Sequence, residues 1–590
     1  MEGKLIFNYM FDLKFTDILD FNKRSKLNTK EYNIGILSNI TVNTIVDILE
    51  YGCKKNNINP NIEIGNYDNI IQDSESEEFK KKDLVIIFYD IINIIDHIDT
   101  YFENINEDKF NLLVKKTCND INLVLNNLQT IPSVVINTFS STYFQNNTFH
   151  ENKLDLFTDR INNFILNSKK QHLNLNILNL NKVVAQIGVS NSFDQRLYNS
   201  SKAPYSFLFF KSYVDSLTNI LLKNTALLKK AIIFDCDNTL WSGIIGEEEI
   251  DFSKDSDVGK HFYKVQQVIK FLSKNGIIIG LNSKNNEKDV LPFLNEINGI
   301  LTNEDITIYK INWDNKINNL LQIAKDLNIS LDSIIFIDDS SFEIQLVNSK
   351  LPEILTMQVP KKLYLYPKFL LNIVEKYCNL NFNKDDLNKN LMYKQEFDRK
   401  HLLTKFDNIN DYLKTLEIEI DIKINDKNNI IRLSQLSLKT NQFNLTNKRY
   451  TESEFYNLMN SNNYLIFSLF VKDKFGESGT TGIIIIQQDQ LSKTAIIENY
   501  LLSCRILGRE IEIVFMNCII EYLQNINFKI LKATYIKSNK NNQVIEFYDK
   551  IGFKILSDED NYSKLYQLNL EKYISKDCNN IKINKLWIKN

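Results

Sequence analysis

Ile232-Ile-Phe-Asp-Cys-Asp-Asn-Thr-Leu-Trp241 is an apolar run of strand type that stops at two carboxylates two positions apart. In an extended backbone, residues i and i+2 project to one face. Asp235 and Asp237 therefore look into one pocket at the carboxyl end of a strand, where open α/β sheets bind ligands. Two carboxylates there suit two tasks. One can attack phosphorus as a nucleophile. Both, by side chain or main-chain carbonyl, can help to hold a hard cation such as Mg2+. Asp and Asn also favour turns, so an acidic turn after a structural strand is the competing reading of this segment alone.

The following hundred residues carry three more pieces. Gly276-Ile-Ile-Ile-Gly-Leu-Asn-Ser-Lys-Asn285 is a second apolar strand, ending in the hydroxyl residue Ser283 ahead of a helical stretch. A hydroxyl and main-chain N–H groups at a helix start suit an anion. Lys316 opens an amphipathic run from Ile317 to Leu327 with apolar residues at helical spacing. A third strand, Ser333-Ile-Ile-Phe-Ile-Asp-Asp339, ends in Asp338 and Asp339, with Glu343 four residues beyond. Each piece is common; the order carboxylate pair, hydroxyl, lysine, carboxylate pair is not.

That order resembles the haloacid dehalogenase (HAD) superfamily of phosphotransferases, and specifically its FkbH-like branch, HAD subfamily IIIC. The segment Asp237-Asn-Thr-Leu-Trp-Ser-Gly-Ile-Ile-Gly-Glu247 is similar to the FkbH version. The resemblance implies Asp235 as nucleophile and Asp237 as general acid and base. It implies that Ser283 binds the phosphoryl group and that Lys316 neutralises the phospho-aspartate. Asp338 and Asp339 would hold Mg2+ together with Asp235 and the Asp237 carbonyl. Phosphoryl transfer needs alignment and charge neutralisation above all, which agrees with this set.

At 590 residues the chain is long enough for roughly two to four domains, and 43% hydrophobic residues supply large cores. Asn, Lys and Ile are abundant while Gly (16) and Pro (7) are scarce, which reads as an AT-rich coding bias rather than as function. A net charge of −3 gives no sign of a nucleic-acid surface. Seven Cys, at 53, 118, 236, 378, 504, 518 and 578, form no Cys-x-x-Cys pair, so a disulfide framework or zinc ribbon is not expected and a reducing cytoplasm is. His97, His150, His172, His261 and His401 show no ligand spacing. The start of the chain lacks a signal-peptide pattern. No uncharged apolar stretch of about eighteen residues predicts a membrane span.

Three α/β domains are expected. Residues 1–228 alternate strand-like segments (Ile34–Leu37, Leu84–Tyr89, Ser133–Asn137, Asn174–Asn179) with helical ones (Thr44–Lys54, Phe110–Leu128, Lys153–Lys170), a doubly wound pattern. The resemblance places an SGNH-hydrolase-like domain here, with Ile36-Leu-Ser-Asn-Ile-Thr41 as a degenerate first block. No Asp-x-x-His follows near residue 200 to complete a triad with Ser38, so packing or docking is expected of this domain rather than hydrolysis. Residues 229–378 form the HAD-like Rossmannoid domain. The short span from Asp235 to Ser283 leaves little room for a folded cap, which predicts an open site able to admit a bulky partner. Residues 379–404 read as a helical connector, 405–575 as a GNAT-like α+β domain, and the Lys- and Asn-rich 576–590 as a solvated tail.

The GNAT resemblance rests on Lys532-Ala-Thr-Tyr-Ile536 and Asn541-Asn-Gln-Val-Ile-Glu-Phe-Tyr-Asp-Lys-Ile-Gly-Phe553, preceded by a strand over Ile496–Ser503 and by Cys504-Arg-Ile-Leu-Gly-Arg509. It makes Arg505, Gly508 and Asn541 candidate acyl- or pantetheine-binding residues. Glu510 stands where a small residue is usual and would repel a pyrophosphate, so a pantetheine arm fits better than coenzyme A. Gln435-Leu-Ser-Leu-Lys-Thr-Asn-Gln-Phe-Asn-Leu-Thr446 and Asp473-Lys-Phe-Gly-Glu-Ser-Gly479 are FkbH-like as well. The donors of the first can read a polar arm or satisfy turns.

The resemblance implies a glyceryl transferase and phosphatase. It would take 1,3-bisphosphoglycerate, form a glyceryl thioester, release phosphate and pass the glyceryl group to the phosphopantetheine arm of an acyl carrier protein, as in polyketide pathways. The thioester needs a thiol. Cys236 lies between the two aspartates, although strand alternation turns it from their face and neighbouring carboxylates disfavour thiolate. Cys504 is the rival, at a helix start between Arg505 and Arg509. A phosphatase for another carrier-linked or small phosphate, and an acyltransferase with a regulatory HAD domain, are the alternatives.

Overall fold

Long apolar runs with little polar alternation are what strands buried on both faces look like, and two all-parallel sheets form from them. The computed structural model describes residues 13–586 except 28, 96–97, 99–101, 145–151, 297–299, 380–398, 400–401, 403–405, 407, 441, 539–540, 560–561 and 575–579. Most of the expected connector 379–404 lies outside the described residues, as do His97, His150, His401 and Cys578. The chain forms two compact units, Met1–Thr225 with Tyr450–Glu454, and Ala226–Arg449 with Phe455–Asn590. The stretches expected as a second and a third domain lie together in the second unit.

In the first unit, β1 (Glu31–Ser38), β2 (Asn59–Ile64), β3 (Leu84–Phe88), β4 (Ser133–Asn137) and β5 (Leu175–Leu178) pair in parallel in the order β2-β1-β3-β4-β5. The helices Ile45–Lys55, Glu107–Asn127 and Lys153–Ser168 alternate with them. The edge strand β2 was not expected, because Asn59-Pro-Asn-Ile-Glu-Ile64 is polar and contains a proline. An edge is where a strand tolerates Pro60, which has no N–H to donate.

In the second unit, β6 (Ala231–Phe234), β7 (Ile278–Ser283), β8 (Ile308–Ile311), β9 (Ile334–Asp338) and β10 (Leu355–Gln358) form a parallel sheet in the order β10-β9-β6-β7-β8. Between β6 and the helix Gly259–Lys274 there is no strand or helix, so nothing at that point folds into a cap. The helix Lys316–Leu327 buries Leu320, Ile323 and Leu327 in one core with Ile233, Ile278 and Phe336 of the sheet.

The same unit carries a nine-stranded sheet of β11 (Ile418–Ile424), β12 (Phe443–Asn444), β13 (Tyr464–Asp473), β14 (Gly476–Asp489), β15 (Thr494–Leu502), β16 (Ile530–Ile536), β17 (Lys554–Glu559), β18 (Ser563–Asn569) and β19 (Ile581–Lys585). Its path is β17-β18-β16-β15-β14-β13-β11-β19, with β12 on β15. The pairings are antiparallel apart from β15 with β16 and β11 with β19. The expected solvated tail is therefore corrected over Ile581–Lys585, which adds an edge strand. Asn584 fastens it with amide bonds of 2.7 Å to both Glu419 and Asp421.

Gly280 sits in β7 with no room for a side chain. A Cβ there would lie 2.6 Å from Ile233 Cδ1 and 2.9 Å from Ile308 Cγ2. Gly280→Ala is expected to cost about 1–3 kcal/mol by overpacking, read as a lower urea midpoint.

Candidate active site

The chain leaves β6 toward β7 and β8 on one side and returns through β9 to β10 on the other. The order therefore reverses between β6 and β9, and such a switch point opens a crevice at the carboxyl ends of the strands. Asp235 follows β6 and donates its N–H to the Ile337 carbonyl of β9 at 2.9 Å. That bond brings it beside Asp338, the last residue of β9.

Lys316 joins the two. Its Nζ lies 2.8 Å from Asp235 Oδ1 and 2.7 Å from Asp338 Oδ2, with all three side chains buried. Local structure sets its position. Asn315 caps the helix that Lys316 begins, accepting from Ile317 N at 2.9 Å. Asn282 of β7 is fully buried and donates to the Lys316 carbonyl at 3.0 Å, while its oxygen accepts from Asn319 at 3.1 Å. Burial works to lower the ammonium's pKa, but Asp235 and Asp338 together hold it above the ordinary lysine value.

Asp339 completes a cluster in which carboxylate oxygens of Asp235, Asp338 and Asp339 lie within 4.8 Å of one another. Burial, and then the charge of Asp235, push Asp338 up to about 6 against the pull of Lys316, and raise Asp339 as well. Three carboxylates against one ammonium leave two negative charges in a buried site. That donor set suits a hard divalent cation held by oxygen ligands.

Asp237 is fixed from three sides. Its Oδ1 accepts from Trp241 Nε1 at 2.9 Å and Ile245 N at 3.2 Å, and its Oδ2 from Asn285 Nδ2 at 2.8 Å. Burial is the main reason its carboxyl is raised above the usual range. Ser283 ends β7, buried, with its hydroxyl bonded to the Cys236 thiol. Cys236 is itself fully buried, and burial and then Asp235 push its thiol well up. The structure thus corrects Cys236 as a thiolate candidate: its surroundings stabilise the protonated form. Glu343 is buried near the same strand ends and pairs with Lys284 at 2.7 Å. Asn282, Asn285 and Trp241 escaped the sequence reading. Asn is so frequent in this chain that single Asn residues carry no signal, and Trp241 read as part of a motif without a bonding role.

The candidates on the nine-stranded sheet come from two segments of the chain. Arg505 and Gly508 lie between β15 and the helix Ile511–Asn525, with Gly508 at φ +78°. Asn541 is fully buried and committed to the protein itself. Its amide donates to the Asn444 and Ile536 carbonyls at 2.9 Å each, and its oxygen accepts from Ser538 N and Tyr535 Oη. It is corrected from a ligand contact to a clasp.

What it clasps is residues 443–446. β15 and β16 pair only over Thr494–Ile497 with Ile530–Ala533. Beyond that, β12 pairs with Leu501 and Leu502, Leu445 N donates to the Tyr500 carbonyl, and Ile536 N donates to the Leu445 carbonyl. The backbone edges opened by the divergence are taken by the chain.

Cys504 begins a short turn at Cys504–Ile506 rather than the long helix. Arg509 does not serve it, because its guanidinium bonds Asp473 at 3.2 Å, which also pairs with Arg399 at 2.7 Å. In the first unit, Ser38 Oγ accepts from Ile40 N, and the neighbouring Asp90 carboxyl accepts from Tyr205 Oη at 2.5 Å and from Ile92 N.

No protein-family model matches the chain, and no curated protein matches it. Among solved structures it is similar to the N-terminal part of BF1531 from Bacteroides fragilis, which contains a phosphatase domain and was crystallised with Mg, at 24% identity and a TM-score of 0.52 over 63% of this chain and 99% of that one. That likeness shows a shared fold of mixed α/β type with parallel sheets. The spermidine/spermine N-acetyltransferase SpeG from Vibrio cholerae matches at 13% identity and a TM-score of 0.21, over 26% of this chain and 95% of that one. The ribosomal-protein-S18-alanine N-acetyltransferase from Escherichia coli matches at 14% and 0.20, over 26% and 97%. Among the described residues, no helix is long and apolar enough to cross a membrane.

Asn541→Ala should strand the buried partners of both ends of the amide and cost about 3 kcal/mol. The check is the urea midpoint; an unchanged value would show that 443–446 holds its place without the clasp.

Proposed function

We propose that the second unit is a Mg2+-dependent phosphotransferase of the HAD type that releases phosphate through an aspartyl-phosphate on Asp235. The observation that carries this reading is the Lys316 bridge between Asp235 and Asp338 beside a three-carboxylate cluster at a topological switch point. Asp235, Asp338, Asp339 and the Asp237 carbonyl would hold the cation, which supplies charge neutralisation for the phosphoryl group.

Asp235 Oδ attacks phosphorus and displaces the leaving oxygen. Asp237, held by Trp241 and Asn285 and raised by burial, carries the proton that this oxygen needs and recovers it from the water that hydrolyses the intermediate. Lys316 compensates the charge that accumulates on Asp235, and Ser283 with the N–H groups after β7 receives the phosphoryl oxygens.

The finer reading follows the FkbH resemblance: 1,3-bisphosphoglycerate as substrate and a glyceryl thioester passed to the phosphopantetheine arm of an acyl carrier protein. Supporting it is the lack of any helix or strand between Phe234 and Gly259, so that no separate cap domain is built there to bar a bulky partner. The buried Cys236 argues that the thiol comes from elsewhere, the carrier arm included. A GNAT-type transfer from coenzyme A is disfavoured by the occupied edges of β15 and β16.

Asp235→Asn is expected to abolish phosphate release while leaving the fold intact, and retained release would refute the nucleophile. Intact-mass analysis of carrier protein incubated with 1,3-bisphosphoglycerate should show a glyceryl adduct. Hydrolysis of simple phosphomonoesters with no such adduct would point to a general phosphatase.

The pH dependence has a definite sign. Asp338 has a folded value near 6 against 3.8 for the free side chain. Its contribution to stability without metal is present below about 4 and lost as pH rises through 6. Mg2+ binds the ionised form, so it should raise the unfolding temperature more at pH 7.5 than at pH 5, and Asp338→Asn should remove that difference. Equal gains at both pH values would contradict the cation site.

A further inference from the structure

The segment that leaves β7 alternates in burial. Ser283 and Asn285 are buried, while Lys284 and Asn286 are exposed. The buried pair serves the chemistry: Ser283 ends the strand, and Asn285 holds Asp237 at 2.8 Å. The exposed pair builds an outer layer. Lys284 reaches Glu343, in the helix Ser341–Lys350 after β9, at 2.7 Å. Asn286 accepts from the indole Nε1 of Trp313 at 3.0 Å.

Two bonds bring Trp313 to this place. The residue before it, Asn312, donates its N–H to the Ser283 carbonyl at 3.1 Å. The Asn286 bond then draws the indole from the exit of β8 toward that of β7, the strand that separates β8 from β6. The ring is nevertheless 70% exposed. On the other side of the crevice, Phe342 is 67% exposed in the first turn of the helix after β9, next to Glu343. β6 lies between β9 and β7, so Asp235 stands between the strands that carry the two rings. Aromatic faces left in water forgo the burial that such side chains ordinarily gain. The Lys284–Glu343 pair between them matches its own charge, so what the outer layer offers a ligand is ring surface.

We propose that Trp313 and Phe342 line a leaving-group subsite, which takes phosphate esters carrying a flat, π-bearing body, a ring or an amide, beyond the ester oxygen. This rests on the phosphotransferase reading for the placing of the phosphoryl group at Asp235, and adds which esters are accepted. Flat groups gain dispersion and quadrupole contact on an indole face that an open polyol chain does not match. The two rings come from strand exits three intervals apart, about 14 Å at strand spacing. A single small ring therefore reaches Trp313 alone, whereas an arm of several amides extends to Phe342 as well.

Both side chains are exposed, so their removal spares the core, and thermal unfolding checks that each variant is folded. The full chain with Mg2+ is assayed on three esters: 2-naphthyl phosphate for a ring, pantetheine 4′-phosphate for an amide arm and glycerol 3-phosphate for neither. Trp313→Ala should lower kcat/KM for at least one flat ester about tenfold, the scale of one lost ring contact, and for glycerol 3-phosphate by about twofold or less. Loss on the naphthyl ester alone identifies a ring as the body, and loss on the pantetheine ester identifies the arm. Phe342→Ala should weaken the pantetheine ester only; an unchanged value there removes that wall from the subsite. Calorimetric titration of the same esters into the Asp235→Asn chain, with and without Trp313→Ala, repeats the comparison as affinities without turnover. Equal effects of Trp313→Ala on the affinities of all three esters, or no effect on any, would overturn the proposal. If no ester releases phosphate while the affinities still set the flat ones apart, the nucleophile falls and the subsite stands, so the two failures are distinct.

Discussion

Lys316 holds together carboxylates that would otherwise repel one another. Asp235 and Asp338 come from strands adjacent in the sheet but a hundred residues apart in sequence, and the ammonium sits within 2.8 Å of both. Two buried carboxylates at that separation cannot both ionise without a cation between them. The lysine can take that place only because its helix starts where it does. Asn315 caps it, Asn282 and Asn319 pin its first turn to β7, and Leu320 and Ile323 seat its apolar face on the sheet. The crevice at the switch point is therefore preorganised by parts that never touch a phosphate.

The nine-stranded sheet answers a different problem. Where two parallel strands diverge, main-chain N–H and C=O groups lose their partners, and burying them unpaired is costly. Residues 443–446 supply those partners, and Asn541 locks them in. Near by, Asp473 is shared by two buried guanidiniums, Arg399 and Arg509, so charges without solvent stabilise one another. Neither arrangement leaves Asn541 or Arg509 free for a ligand.

How far the sequence could be read follows from what each feature needed. β6, β7 and β9 were legible because strands buried on both faces are continuous apolar runs, and their acidic or hydroxyl ends stand out against them. Lys316 was legible by its place ahead of an amphipathic helix. The asparagines around it were not: they act through position, and their residue type is everywhere in this chain. β2 was hidden by its polarity, since an edge strand needs few apolar residues. β12 is two residues long, below any periodicity. Ser38 was found, and the Tyr205 hydroxyl on the neighbouring Asp90 was not, because nothing local links residues 115 positions apart.

β19 has a consequence for how the protein is made. It pairs in parallel with β11, the first long strand of its sheet, across Ile418 with Ile581 through Ile422 with Lys585. During synthesis the outer edge of β11 waits until Ile581–Lys585 has left the ribosome. An open strand edge is a template for unwanted pairing with other molecules. Ile418, Ile420 and Ile422 are each 2% exposed or less in the finished sheet. The Glu419 and Asp421 that alternate with them keep charge on that edge in the meantime, and later receive Asn584 when β19 arrives.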